Sequence, residues 1–470
     1  MGSDYNHLPD ESFRDRMVTI DEEGNRNWIY ATKPRGKFYK YRTYVSFLFF
    51  ALLVIFPFIK INGHPLFLFN ILQAKFILFG KIFWPQDFFI FGIGMITFVV
   101  FIILFTAAFG RLFCGWICPQ TIFMEMLFRK IEYAIEGDAP KQKRLNDGPW
   151  TREKVIKKTS KNIVFFVLSF LIANIFLSYI IGVDELKHIM TDSVSAHLGG
   201  FMAIMAFSFV FFGVYTWFRE QACTVVCPYG RLQSVLLDRN SMVVAYDYQR
   251  GEPRGKLKDK DSKHLGDCID CGLCVKVCPT GIDIRNGTQM ECVGCTACID
   301  ACDEIMDKVD RPRGLVRYAS ENGIEFNQPL RYTPRMKLYT ALLIVLIGIL
   351  TLLLVTRKYV DATIIRSQGI LFQEVGTDSL SNLYSIKMVN KSLKHIDVSL
   401  KLENLPGEIK VAGGKSIPLP QEAQGSGSFF VVLPKSVIKD RKTEIKVGIY
   451  DHGKKIDVKS SNFLGPIHVN

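Results

Sequence analysis

Residues 88–119 read FFIFGIGMITFVVFIILFTAAFGRLFCGWICP, and this stretch decides the fold class. Its apolar run, from Phe88 to Phe109, is long enough as a helix to cross about 30 Å of hydrocarbon. A helix buried in a soluble protein needs only an apolar stripe, and this one is apolar on every face, which points to lipid. The run ends at Arg111 and Cys114-x3-Cys118-Pro119, so a pair of thiols stands where the helix leaves the membrane.

Working outward, five spans satisfy the length requirement: Thr43 to Ile61, Asp87 to Phe109, Asn162 to Ile181, Gly199 to Phe218 and Leu338 to Thr356. The expected fold is therefore a polytopic α-helical membrane protein with five transmembrane helices and membrane lipid around it. A load of 37 Phe agrees with that. The segment Pro65 to Trp84 is interrupted by Asn70, Gln73, Lys75 and Lys81. It is expected to lie at the outer interface as an amphipathic segment. No charged region precedes an apolar core at the N-terminus, so the first span is expected to act as its own insertion signal.

The net charge of +13 does not signal nucleic acid, because the basic residues gather beside apolar spans as topology signals do. Between the second and third spans stand Arg111, Arg129, Lys130, Lys141, Lys143, Arg144, Arg152, Lys154, Lys157 and Lys158. The loop between spans three and four offers only Lys187. The expected topology has the N-terminus and the loops after spans two and four in the cytoplasm and the C-terminus outside. All twelve cysteines, from Cys114 to Cys302, then fall on the reducing side.

The loop after span four carries Cys268-x2-Cys271-x2-Cys274-x3-Cys278-Pro279 and then Cys292-x2-Cys295-x2-Cys298-x3-Cys302. This is the run of a dicluster [4Fe–4S] ferredoxin, in which the fourth cysteine of each set ligates the other cluster. One cluster is assigned to Cys268, Cys271, Cys274 and Cys302, the other to Cys292, Cys295, Cys298 and Cys278. Structural zinc sites use C-x2-C pairs at longer separations and fit this array poorly. The second set has Asp303 where Pro is common, which alters a turn and removes no ligand.

Span four ends in FREQACTVVCPYGR, repeating the C-x3-C-P of GRLFCGWICPQ. Two hairpins related by approximate two-fold symmetry would bring Cys114, Cys118, Cys223 and Cys227 together. Thiolates are soft ligands, so such a group could bind copper, hold a further cluster or form redox-active disulfides. Packing of helix ends is the bland alternative. Arg111 and Arg219 either favour thiolates or serve as topology charges. Met124 and Met126 either supplement a soft-metal site or pack. The eight His avoid the apolar spans, which argues against transmembrane haem, and neither a dinucleotide-binding nor a Walker motif is present. Electrons must come from a quinol or a cytoplasmic reductant.

Beyond span five, LYSIKMVNKS, HIDVSLKL, SFFVVLP and TEIKVGIYD alternate with turn residues, the pattern of an all-β immunoglobulin-like sandwich. The expected domains are a cytoplasmic segment 1–42, a four-helix membrane domain 43–240, and a ferredoxin domain of α+β type with linkers 241–337. A fifth helix 338–356 and a periplasmic sandwich 357–470 follow.

The order of these features resembles the CcoG (FixG/RdxA) family of cytochrome c oxidase accessory proteins over nearly the whole chain. The residues that carry the resemblance include IYATKPRGKFYKYR, NGHPLFLFNI, FWPQDFF, GRLFCGWICPQT, IEGD and ACTVVCPYGRLQSVL, with the cassette and the β tail. The resemblance implies a cupric reductase that makes Cu(I) for a haem–copper oxidase, with the C-x3-C-P cysteines as catalytic metal ligands and copper beside the two [4Fe–4S] clusters. It also implies oxidase assembly factors or a copper transporter as partners, and leaves a homodimer open. The membrane ferredoxins of nitrate and nitrous oxide respiration look similar, so a quinol-linked relay is the alternative. A non-enzymatic assembly scaffold is a third.

Overall fold

The computed structural model describes residues 18–466, apart from 22, 62, 72–74, 85–86, 257–263, 330, 368, 370, 393, 415 and 439. Gln73 therefore lies outside the described residues. Among those described, five helices are long and apolar enough to cross a membrane: Lys37–Phe58, Phe88–Phe109, Arg152–Ile181, Leu198–Phe218 and Pro334–Val355. Three begin several residues before the apolar runs, because each run is preceded by polar residues that extend the helix outside the lipid. The third is the clearest case: Thr151 caps it by accepting from Lys154 N at 3.2 Å, a full turn of charged residues before the lipid-facing part.

The chain folds as two compact units, Met1–Ile59 with Ile93–Gly348, and Lys60–Gly92 with Ile349–Asn470. In the second unit the C-terminal strands form a sandwich: β1 Val360–Arg366, β2 Gln373–Val375, β3 Ser379–Asn390, β4 Ile396–Leu402, β5 Glu408–Val411, β6 Ile417–Leu419, β7 Gln424–Pro434, β8 Lys442–Asp451 and β9 Lys454–Leu464. One antiparallel sheet runs β5-β7-β3-β1 with β2 paired to β3, and the other runs β6-β4-β8-β9. Alternation supplies the core. Tyr384 stands opposite Phe429 in register, the rings stack at 5.4 Å, and the buried hydroxyl donates to Asn462 O at 3.0 Å. Leu433, Val398, Val447 and Phe463 fill the space between the sheets.

The segment between the first two spans departs from expectation. It is not a continuous amphipathic segment; Phe67–Asn70, Lys75–Leu78 and Lys81–Phe83 form an antiparallel meander with Leu68, Ile77 and Ile82 buried on one side. The polar residues that break the apolar run recur near turns, so the pattern is that of short strands. The segment also belongs with the sandwich unit, not with the four-helix domain to which 43–240 was assigned. Buried Asp87 accepts from Arg357 Nη2 at 2.6 Å and from Lys391 Nζ at 2.5 Å, tying the segment's end to the β tail.

In the first unit the helix after Pro119 runs through a wide, π-helical stretch, Ile122–Phe128, against the third and fourth membrane helices. Phe128 stacks on Tyr215 at 4.3 Å and meets Phe165 edge-on at 4.9 Å. The cysteine-rich module is small and mixed: strands Val243–Tyr246 and Val316–Ala319 pair antiparallel beside helices Leu273–Lys276 and Ala297–Lys308. Asp303 explains the length of the second helix. Pro here would remove a helix hydrogen bond, and the first helix, with Pro279 at the matching position, ends at Lys276; Asp303 lets the second continue to Lys308 and accepts from Gly314 N at 2.9 Å.

Candidate metal centre

The two cysteine runs fold alike. Asp270 and Gly272 in the first, and Gly294 and Thr296 in the second, all have left-handed backbone conformations. Two such residues per loop curl each C-x2-C-x2-C segment so that its three thiols face inward. Cys268, Cys271, Cys274 and Cys302 line one pocket, walled by Tyr246, Met306 and Leu315. Cys278, Cys292, Cys295 and Cys298 line another, walled by Ile282 and Ile284. The first pocket thus receives three cysteines of the first run and Cys302 of the second, while the second receives three of the second run together with Cys278 and the shared Cys274 of the first.

The donor set fits clusters better than single ions. Among the described residues no three His, Cys, Asp or Glu side chains converge closely enough to hold one metal ion. Eight thiols spread around two apolar cavities suit the larger iron–sulfur core. Burial pushes the Cys274 and Cys295 thiols up to about 11 and Cys302 to about 12. A cationic core is what would hold them as thiolates.

The two C-x3-C-P turns share how they end, although the first follows an α-helical turn, Leu112–Trp116, and the second a π-helical one, Ala222–Val226. Cys118 N donates to Phe113 O, and Cys227 N to Ala222 O, both at 2.9 Å and both five residues back. Each second cysteine is extended and each Pro opens the next helix, where its missing N–H costs nothing. The prolines therefore end one helix and start another, so each cysteine pair spans a helix break. The four thiols neighbour one another, since Cys114 feels the charge of Cys118 and Cys227, and Cys223 that of Cys118, Cys114 and Cys227, but no three of them converge closely enough here to hold a single metal ion. Burial above all pushes Cys114 up to about 11 and Cys223 to about 12.

The two arginines separate in role. Arg111 touches Cys114, counters the rise in its pKa, and donates through Nη1 to Met290 O in the second cysteine loop. Arg219 instead pairs with Glu132 at 2.6 Å, in a buried network with Lys161 and Glu136. Met124 packs among Phe123, Phe128 and Phe165.

The thiol group is seated directly on the second cluster cavity. A Cβ on Gly115 would lie 2.7 Å from Gly294 C and 2.8 Å from Val293 O, so the two turns meet backbone to backbone. Gly294 in turn faces Arg111 O, 2.9 Å from where its own Cβ would stand. Arg42 Nε donates to Gly115 O at 3.0 Å, and Trp116 Nε1 to Tyr318 OH at 3.2 Å. Cys114, Cys223, Val293 and Cys295 belong to one packed cluster.

Sequence reasoning missed several of these residues. Gln233, fully buried, accepts from the Cys114 thiol at 2.9 Å while its amide donates to Thr106 Oγ1 and Tyr229 OH. Thr121 Oγ1 lies 3.9 Å from Cys223 Sγ. A usable signal was Gln233 itself, four residues after Tyr229 on the same face of helix Pro228–Leu236.

Comparison with known proteins agrees with this architecture. A 4Fe-4S dicluster domain matches residues 218–321, a 4Fe-4S binding domain residues 91–135, and an IG-like fold at C-terminal of FixG residues 350–466. Protein RdxA of Cereibacter sphaeroides is 36% identical over 383 residues, 78% of this chain and 80% of its own. Nitrogen fixation protein FixG of Rhizobium meliloti is 30% identical over 466 residues, 90% of this chain and 86% of its own. The chain belongs to the FixG/RdxA family. As a FixG/RdxA protein it is a membrane-associated 4Fe-4S redox protein with an immunoglobulin-like C-terminal domain. The FixG/RdxA chain also carries its first C-x3-C-P inside the matched region 91–135, where Cys114 and Cys118 are the cysteines.

Proposed function

We propose that this chain reduces Cu(II) to Cu(I) at Cys114, Cys118, Cys223 and Cys227 and delivers it toward assembly of a haem–copper oxidase. The observation that carries this reading is the seam in which Gly115 lies against Val293 and Gly294, joining the thiol group to the second cysteine cavity. The crossed ligation assigned from sequence, Cys268, Cys271, Cys274 and Cys302 against Cys278, Cys292, Cys295 and Cys298, is part of the proposal. The clusters, when bound, supply one-electron storage beside the thiols.

The chain's own residues do the rest. Thiolates prefer Cu(I), whereas Cu(II) prefers nitrogen and oxygen, so four sulfurs favour the reduced product. Each thiol that binds copper must release its proton, and Arg111 beside Cys114 eases that release. Gln233, which accepts from the thiol proton, fixes the direction in which Cys114 points. Copper gains one electron, and a quinol or a cytoplasmic reductant replaces it. The cysteine module and N-terminus are assigned to the cytoplasm and the sandwich to the periplasm, following the basic loops.

The test is anaerobic reoxidation of dithionite-reduced, desalted protein by Cu(II), with Cu(I) trapped by a chelator. The Cys114, Cys118, Cys223, Cys227→Ser variant that still holds its clusters should yield no Cu(I). Equal yields from both proteins would make the reaction adventitious cluster chemistry and leave the quinol-linked relay as the better reading.

A further inference from the structure

We infer that the start of the first membrane helix holds the phosphate of an anionic phospholipid, in an open cavity of about 670 Å³ lined by Lys33, Tyr39, Lys40, Thr43, Tyr44 and Lys130. This inference is independent of the copper reading.

The charge in the cavity is unopposed. Three lysines from two parts of the chain line it, and among the described residues no carboxylate does. The acids nearby are engaged elsewhere. Asp138 accepts from the Lys33 and Ala139 backbone N–H groups, Asp300 from those of Phe38 and Tyr39, and Glu125 pairs with Arg129. Lys130, half-buried, donates to Thr43 Oγ1 at 2.9 Å and sits 5.2 Å from the centre of the Tyr39 ring. Burial first, then the neighbouring Lys33 and Arg42, pull its pKa down. An anion there would relieve Lys130 and accept charge-assisted hydrogen bonds from the lysines that line the cavity.

The helix face below the cavity selects lipid over a soluble anion. Lys40 and Tyr44 line the cavity, and Phe47, Leu48, Leu52 and Ile55 continue the same i, i+4 row. All of those apolar residues are exposed, with Tyr44 69%, Phe47 68% and Leu48 62% accessible. A molecule with its phosphate among the lysines would therefore lay its acyl chains along that row. Tyr39 and Tyr44 occupy the level where aromatic residues meet headgroups. Because Asp300 of the cysteine module caps this same helix end, occupancy would also steady the junction of membrane helix and module.

The experiment uses the full chain with its clusters, delipidated in neutral detergent, and reads bound adducts by native mass spectrometry together with the thermal midpoint. Phosphatidylglycerol should be retained and raise the midpoint, while phosphatidylcholine and inorganic phosphate should do neither. The Lys33→Gln, Lys40→Gln double variant keeps the Lys130–Thr43 bond and both substituted residues are exposed. It should weaken phosphatidylglycerol retention by about 5-fold per lysine. A Lys141→Gln, Lys143→Gln control, equal in charge but outside the cavity, should bind like the parent. Equal loss in the control, unchanged binding in the double variant, or an equal effect of inorganic phosphate would each overturn the inference.

Discussion

Gly115→Ala is the sharpest probe of the seam between the thiol group and the second cluster cavity. Gly115 faces backbone on the opposite side, so no flexible side chain can move aside for the added methyl. Ordinary contact begins near 3.4 Å, and the new Cβ would sit 2.8 Å from Val293 O and 2.7 Å from Gly294 C. The turns must therefore separate by about 0.6 Å or more, stretching the Arg42–Gly115 bond of 3.0 Å. Overpacking of this kind costs about 1–3 kcal/mol. In a unit of roughly 300 residues that lowers the midpoint by roughly 1–5 °C. The assay is thermal loss of the clusters' visible absorbance, run beside the rate at which Cu(II) reoxidises the reduced protein. Both should fall, and reoxidation should fall even at temperatures where the absorbance is intact. A variant with the parent's midpoint and rate would refute the claim that this contact couples the two sites.

Two further predictions follow from the same unit. Cys278→Ser should remove the electron paramagnetic resonance signal of the cluster held with Cys292, Cys295 and Cys298, and Cys302→Ser that of the other. The opposite assignment would show that the ligation is not crossed. Glu132 governs acid stability. Burial alone would raise its pKa, but Arg219, Lys161 and Arg129 overcome that and hold it at about 2, below the ordinary 4.5. A depressed acid contributes stability above its unfolded value, so the contribution is complete above pH 4.5 and drains away as pH falls toward about 2. Glu132→Gln leaves Arg219 and Lys161 with fewer buried partners and should cost about 3–5 kcal/mol at neutral pH. Its midpoint should then stay flatter than the parent's across that acid window; parallel profiles would assign the acid lability to other groups.

The parts of this molecule that could be read from sequence are those written in local spacing. All-round apolar runs gave the five membrane helices, alternation gave the sandwich, and i, i+3, i+6 cysteines gave two curled loops. What depends on pairs far apart in the chain stayed hidden. Arg129 and Lys154 read from sequence only as loop charges that set topology, and both are buried: Lys154 donates to Asn146 O and Gly148 O, and Arg129 lies among carboxylates. The meander before the second helix was obscured because its strands are only three or four residues long.

The duplicated C-x3-C-P shows how far local reading reaches. The repeat is visible in the sequence, and the two copies share the five-residue hydrogen bond to the second cysteine, although one pair follows an α-helical turn and the other a π-helical one. Yet the residue after the first cysteine is Gly115 in one copy and Thr224 in the other. Only the copy with glycine can lie against the backbone of Val293 and Gly294, because any side chain there would collide. The threonine copy instead turns its hydroxyl back to Glu220 O at 3.3 Å. The two hairpins are therefore alike in their cysteines and unlike in what they touch. Cys114 and Cys118 belong to the copy that is docked on the second cysteine loop, while Cys223 and Cys227 complete the thiol group from the other side. An exchange of the two residues, Gly115→Thr with Thr224→Gly, preserves composition and both motifs, and by this reasoning it should not preserve coupling.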